Sequence, residues 1–262
     1  MLGSSPWTLT SGPGRPAYLA PILFGFLVFL PHPATPEERQ PLPSASAVVG
    51  RVEVERVRFL FGPTIKAGEN VVVYLESFGT PPPRSLPGPL RMVQRFKTFE
   101  PHVLVVTPGT TVDFPNLDPI FHNVFSSYYG DKFDLGLYKP GDSKRVEFKA
   151  PAVSWIFCDI HQEMSALVVT LNTPYFAVTD SRGEFAIRGV PDGKYRLKVW
   201  YDEVSPEELD RASRAVEITQ TTRRLPLILL SAKGFVRIPH KNKFGKDYPP
   251  PGQDPRYQDI QP

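Results

Sequence analysis

The chain has 262 residues, room for one large or two small domains, and its hydrophobic fraction of 41% is enough to build a packed core. With 31 prolines against 19 glycines, it is built for short strands joined by turns and against long helices. A formal net charge of +3, with no basic stripe interleaved with aromatics, excludes nucleic acid as the expected partner, and the single cysteine excludes an internal disulfide.

Residues 1–47 read as address and tether. Tyr18 to Leu30 is an apolar run behind Arg15, with Pro21 inside it. Its length suits a signal-peptide core and is short for a membrane-spanning helix. Ala45-Ser46-Ala47 has the small-residue cleavage pattern but lies far beyond Leu30, and His32 stands where a small residue is wanted ahead of Ala34. Export is therefore expected, with the segment either removed or kept as a membrane tether through residues 18–30. No cysteine stands directly after the apolar run, so a lipid anchor is not expected. The plain alternative is a hydrophobic terminus belonging to the fold.

From Val48 alternation begins. Val48 to Val57 and Asn70 to Leu75 read as strands, with turn signals at Gly62-Pro63 and at Ala67 to Asn70. Pro81 to Pro89 breaks all regular structure and marks a boundary, closing a first segment, 48–89. Over 90–172 the spacing predicts strands at Met92–Phe96, Val103–Thr107, Thr111–Phe114, Asp131–Tyr138, Ser143–Phe148, Ala152–Cys158 and Ser165–Leu171. That pattern suits a sandwich or barrel. Over 173–232 a meander runs through Phe176–Thr179, Glu184–Arg188 and Tyr195–Trp200, followed by strands at Ala215–Thr219 and Leu225–Leu230. Ser205-Pro206-Glu207-Glu208 is a helix-start signature: a capping serine, proline at the first position and glutamate at the third. The polar, proline-rich tail 233–262 reads as flexible or surface-hugging. The fold class expected is all-β, with two sandwiches.

One stretch carries chemistry. Cys158 ends an apolar strand, His161 follows at the third position and Met164 three later. A thiolate, an imidazole and a thioether on one short loop form a soft ligand set, the kind that suits copper. His122, upstream between Phe121 and Asn123, is the candidate second imidazole. Each residue alone has a plainer reading: a core cysteine, a hydrogen-bonded histidine, core filler, a turn cap. His102, His240 and His32 belong to a strand entrance, the tail and the leader, with no metal role expected. No phosphate loop, zinc-protease helix or nucleophile elbow is present, and Glu207-Glu208 is explained by the helix dipole. No catalytic residues are expected.

His122-Asn123 followed by Cys158-x-x-His161-x-x-Met164, with the lead-in Val103 to Val106, Pro108-Gly109 and Val112-Asp113-Phe114, resembles the cupredoxins, most closely the short-loop form of amicyanins. The resemblance covers about residues 90 to 172 and implies a Greek-key β-sandwich holding one type 1 copper ion through His122, Cys158, His161 and Met164. It also implies that the Asn123 N–H points at the thiolate and that its side chain ties the two ligand loops together. By the same resemblance the His161 ring edge lies in an apolar docking patch, for which Pro119, Ile120, Phe121 and Ile160 are the candidates. Phe176 to Asp180, Gly183-Glu184-Phe185 and Val190 to Tyr195 resemble carboxypeptidase regulatory-like domains, small transthyretin-type sandwiches. The opening strands of such a domain match Val49 to Val52 and Val71 to Leu75, upstream of the copper region. Either the cupredoxin is inserted in that sandwich, or extra N-terminal strands precede it and an independent domain follows. The joint layout resembles exported cupredoxins labelled methylamine utilisation proteins, a loose label from which no methylamine chemistry is read.

These readings imply a periplasmic or tethered carrier of single electrons between a redox donor and acceptor, not an enzyme. The alternatives are a copper-binding and delivery protein without an electron-transfer role, and a metal-free binding module on the same fold.

Overall fold

The computed structural model describes residues 47–58, 62–79, 89–236 and 239–250. The apolar run at 18–30, the linker before Ala47 and most of the proline-rich stretch 81–89 lie outside them. The described residues are nearly all β, with one short helix, and belong to one compact unit.

Three strands come first: β1 (Val48–Arg58), β2 (Gly62–Ala67) and β3 (Val72–Ser77). Ten follow before residue 172: β4 (Leu90–Arg91), β5 (Val93–Arg95), β6 (Thr98–Glu100), β7 (Val103–Val106), β8 (Thr110–Pro115), β9 (His122–Ser126), β10 (Phe133–Tyr138), β11 (Ser143–Phe148), β12 (Ala152–Phe157) and β13 (Ser165–Thr170). The last set is β14 (Phe176–Val178), β15 (Glu184–Ile187), β16 (Gly193–Trp200), α1 (Pro206–Ala212), β17 (Arg214–Ile218) and β18 (Ile228–Ser231).

Strands β4 to β13 form their own sandwich. One sheet runs β10-β9-β12-β13-β7 and the facing sheet runs β11-β8-β4. Alternate residues meet between them: Val112, Phe114, Val124, Phe148, Ile156, Cys158, Ala166 and Val168 share one buried core. The residues between those on β7 and β13 (Val103, Val105, Leu167 and Val169) are buried too, because the back of that sheet packs on Val72, Tyr74, Phe176, Val178 and Trp200. A sheet covered on both faces needs apolar side chains in both phases, which is why Ala166-Leu167-Val168-Val169 shows no alternation.

The other strands make a second sandwich from both ends of the described chain. β1 pairs with β15 antiparallel and with β18 in parallel, while β3 lies between β14 and β16. Its core includes Val52, Val54, Val73, Leu75, Phe185, Ile187, Leu197 and Leu230. The segment 90–171 therefore lies in sequence between two parts of one sandwich. The chain leaves at Ser77 and returns beside it, since Leu75 N–H donates to Tyr175 O at 2.8 Å and Thr173 Oγ1 donates to Leu75 O at 2.6 Å. Helix α1 is capped as its sequence dictates: the Ser205 side chain accepts from Glu208 N–H and Pro206 opens the helix.

Three local expectations are corrected. Gly62-Pro63 opens the edge strand β2 instead of a turn; with no N–H to donate, Pro63 is tolerated there because an edge strand pairs on one side only. The strand expected at Met92–Phe96 is shortened to Val93–Arg95, a separate two-residue strand precedes it, and Phe96 and Lys97 form a tight turn (φ 53° and 55°) into the unanticipated β6. Pro226 lies inside the strand expected at Leu225–Leu230, which is reduced to Ile228–Ser231. Of the two forms expected for the tail, its described residues 239–250 take the surface-hugging one, bonded to the sandwich of β4 to β13.

Candidate metal centre

His122 is the first residue of β9, and a folded loop delivers it there. The buried side chain of Asn116 organises that loop: Nδ2 donates to Ile120 O (2.8 Å) and Tyr138 O (3.3 Å), and Oδ1 accepts from Asp118 N–H (3.0 Å). Asp118 is thereby aimed back at the β5–β6 turn, where Oδ1 accepts from Phe96 N–H at 2.6 Å and Oδ2 from Lys97 N–H at 2.9 Å. Oδ2 also accepts from His122 Nε2 at 2.8 Å. A carboxylate on Nε2 places the proton there and leaves the Nδ1 lone pair for other use.

Cys158 follows β12, and its loop is closed by backbone bonds. Cys158 N–H donates to Met164 O at 3.3 Å, and Met164 N–H to His161 O at 3.1 Å. His122 Nδ1 and His161 Nδ1 lie 3.1 Å apart, with Cys158 Sγ 3.8 Å from the first and 3.6 Å from the second. Three donors at about 2.0 Å (nitrogen) and 2.3 Å (sulfur) from one ion in a trigonal plane would be separated by about 3.5 Å (N···N) and 3.7 Å (N···S). The observed spacing fits a single ion. Met164 is buried beside Cys158 in the same core. His122, Cys158 and Met164 have no exposure and His161 has 8%, so only His161 gives onto the surface. Pro119 nearby is exposed, and Ile120, Phe121 and Ile160 are half-buried.

The electrostatics suit a closed site. Burial pushes the Cys158 thiol up to about 11, although the N–H groups of Asn123, Ile160 and His161 are bonded to it and favour the thiolate. Burial lowers His161 to about 4, and the neighbouring His122 and Lys97 add to that. His122 is also lowered, its burial outweighing the pull of Asp118. Burial would raise Asp118, but the N–H donors of Lys97, His122 and Phe96 hold it below its ordinary value. The two imidazoles are thus neutral and ready as ligands, while the thiol must release its proton to solvent when a cation binds.

The side chain of Asn123 bridges the two ligand-bearing segments: its Oδ1 accepts from Asp159 N–H at 3.3 Å, and its Nδ2 donates to Asp134 at 2.7 Å. His102 is bonded to Ser165 O and stands apart from the cluster. Asp118 and Asn116 were missed by sequence reasoning. The available signal was an acid four positions ahead of a candidate ligand histidine, in a loop of turn-forming residues.

No family model matches the chain, and none of the curated proteins does. Solved structures do. A copper-containing nitrite reductase from Thermus scotoductus SA-01 aligns at 24% identity and TM-score 0.31, over 33% of this chain and 23% of that one. A purple cupredoxin from Nitrosopumilus maritimus aligns at 22% and 0.29, over 31% and 99%. A reduced amicyanin variant aligns at 18% and 0.31, over 38% and 98%. The chain thus spans under a quarter of the nitrite reductase.

Proposed function

We propose that this chain is an exported type 1 copper protein that carries single electrons between redox partners. The observation that carries the reading is the convergence of His122 Nδ1, His161 Nδ1 and Cys158 Sγ, buried and within 4.8 Å of one another. One thiolate with two imidazoles, and the thioether of Met164 as a weak fourth donor, is the set that suits copper cycling between its two oxidation states. Bound copper would supply one-electron chemistry. The chain's own part is rigidity and shielding: Asp118 holds one ring, three N–H groups steady the sulfur, and the scaffold buries His122, Cys158 and Met164 completely. Four protein donors leave no position for a substrate, which supports a carrier over an enzyme.

The exposed side of the site supports a partner-docking role. Ile160 adjoins His161, while Pro119, Ile120 and Phe121 lead directly into His122, whose Nδ1 lies 3.1 Å from that of His161; Phe96 and Leu117 are further exposed apolar side chains. The donor and acceptor would be redox proteins. We read the second sandwich as carboxypeptidase regulatory-like, with a supporting or docking role, and residues 18–30 as the export signal or tether.

Purified chain loaded with Cu(II) should show an intense visible thiolate-to-copper band that a reductant bleaches and an oxidant restores. Cys158→Ser should abolish it. A sample that stays colourless when oxidised overturns the reading. Rapid surrender of the metal to a chelator by a coloured sample would favour delivery over electron carriage.

A further inference from the structure

Residues 239–248 lie some eighty positions beyond the ligand loop, yet they fold against it. The segment is organised by Asn242: its N–H donates to Lys246 O at 2.9 Å, and its Oδ1 accepts from Phe244 and Lys246 N–H at 3.0 Å. Lys241 and Asp247 add only an exposed ion pair at 2.5 Å, of the kind that contributes little to holding a turn. A polar ten-residue stretch thereby acquires a defined shape without a core of its own.

From that turn three residues reach the loop that carries Cys158, His161 and Met164. The His240 ring stacks on Phe157 with centroids 4.0 Å apart, and Nε2 donates to Gln162 O at 2.7 Å. Lys243 N–H donates to Asp159 Oδ1 at 3.0 Å, while its Nζ reaches Asp134 at 2.8 Å, the carboxylate that also holds the Asn123 side chain. The Tyr248 hydroxyl donates to Cys158 O at 2.8 Å. Residues 157, 158, 159 and 162 are each contacted, and the Cys158 carbonyl is taken up by a group from outside the sandwich.

We infer that the segment 239–248 is part of the metal centre, with His240, Lys243 and Tyr248 as positioning residues that fix the backbone of the ligand loop. The inference deepens the copper reading and rests on it for its consequence. Sulfur direction and the His161 ring position follow from the 158–164 backbone. That backbone is a short turn with few bonds of its own, so external bonds to its carbonyls and side chains decide how far it strays from the ligating geometry. A preformed loop binds the ion without an ordering cost and releases it slowly.

The test uses the full chain with Tyr248→Phe, with His240→Ala and with both, and with Lys241→Ala as a change confined to the outward ion pair. Two measurements are read. In copper-loaded protein, the double variant should lose the ion to a chelator about ten- to a hundredfold faster, with a displaced visible band, the range expected when outer partners of a metal ligand are removed. In metal-free protein, amide hydrogen exchange should rise at 158–164 and stay unchanged in 48–77, with Tyr248→Phe giving the smaller effect and Lys241→Ala none. Unchanged exchange at 158–164 in the double variant overturns the inference whether or not copper binds. A chain that never takes up copper would instead overturn the copper reading, and faster exchange at 158–164 would still uphold the positioning role.

Discussion

Asp118 divides two carboxylate oxygens among three N–H donors, and the division sets the tautomer of His122. Asp118→Asn keeps the size of the side chain but offers only one accepting oxygen. Either the turn at Phe96-Lys97 or the His122 ring then loses its partner. We expect metal affinity to fall about ten- to a hundredfold with the fold intact, as for other carboxylates behind a ligating histidine, read by competition with a chromophoric chelator. The protonation states give a second test. At pH 7 the Cys158 thiol, pushed up to about 11, carries its proton and both ligand imidazoles are neutral. Uptake of one ion should therefore release about one proton, and affinity should fall about tenfold per pH unit on acidification, more steeply near pH 4 where His161 begins to compete. Calorimetry in buffers of different ionisation enthalpy counts that proton; a count of zero or of three would contradict the assignment. The approach of Cys158 to His161 was legible because one loop holds them at fixed spacing. The contacts of Lys243 and Tyr248 were not, because they join segments that the sequence leaves unpaired, while Asp118 left only the local signal of an acid four positions ahead of His122.

Strands were legible wherever burial is one-sided and alternates, as in the pattern of Glu184-Phe185-Ala186-Ile187. They were missed where length, turn residues or burial without alternation obscured them: β6 is three residues long, β2 opens on glycine and proline, and β9 is buried at every residue. The turn before β15 shows why one glycine is needed. Gly183 has φ +76°, its carbonyl accepts from Val52 N–H at 2.8 Å, and a Cβ there would lie 2.2 Å from Val52 O. Alanine would combine a disfavoured left-handed backbone with a backbone clash, at the point where an early strand meets a late one. Gly183→Ala should cost about 2–3 kcal/mol in urea unfolding, the range for a strained conformation that cannot relax. Gly62→Ala shares the positive φ (+69°) but has open space around its Cβ, so the smaller loss expected there separates clash from conformation.

The molecule as a whole was only half legible, because a sequence displays strands and not their partners. Val48–Arg58 and Val72–Ser77 could equally have decorated the metal-binding sandwich; their pairing with β15, β18, β14 and β16 is a long-range fact. That pairing has an energetic consequence. The metal-binding sandwich enters and leaves through neighbouring points of the second one, and the two share a packed layer of buried Leu167, Val169 and Val72 with half-buried Tyr74, Phe176 and Trp200. Unfolding either exposes that layer, so the two should melt together. A ligand that binds only the folded state stabilises by about 2.7 kcal/mol when its free concentration is a hundredfold above Kd. Metal loading should then raise the melting of the second sandwich, which does not touch the ion, along with the first. Replacing Tyr74 and Phe176 together by serine removes two rings from the shared layer while keeping the Tyr74–Phe176 backbone pair. The single transition should split in two, and only the component carrying His122 and Cys158 should continue to respond to the metal. Calorimetry of both forms, with and without the ion, decides it: a metal-dependent shift of both components after the double replacement would mean that the coupling runs through the chain connections and not through the packed layer.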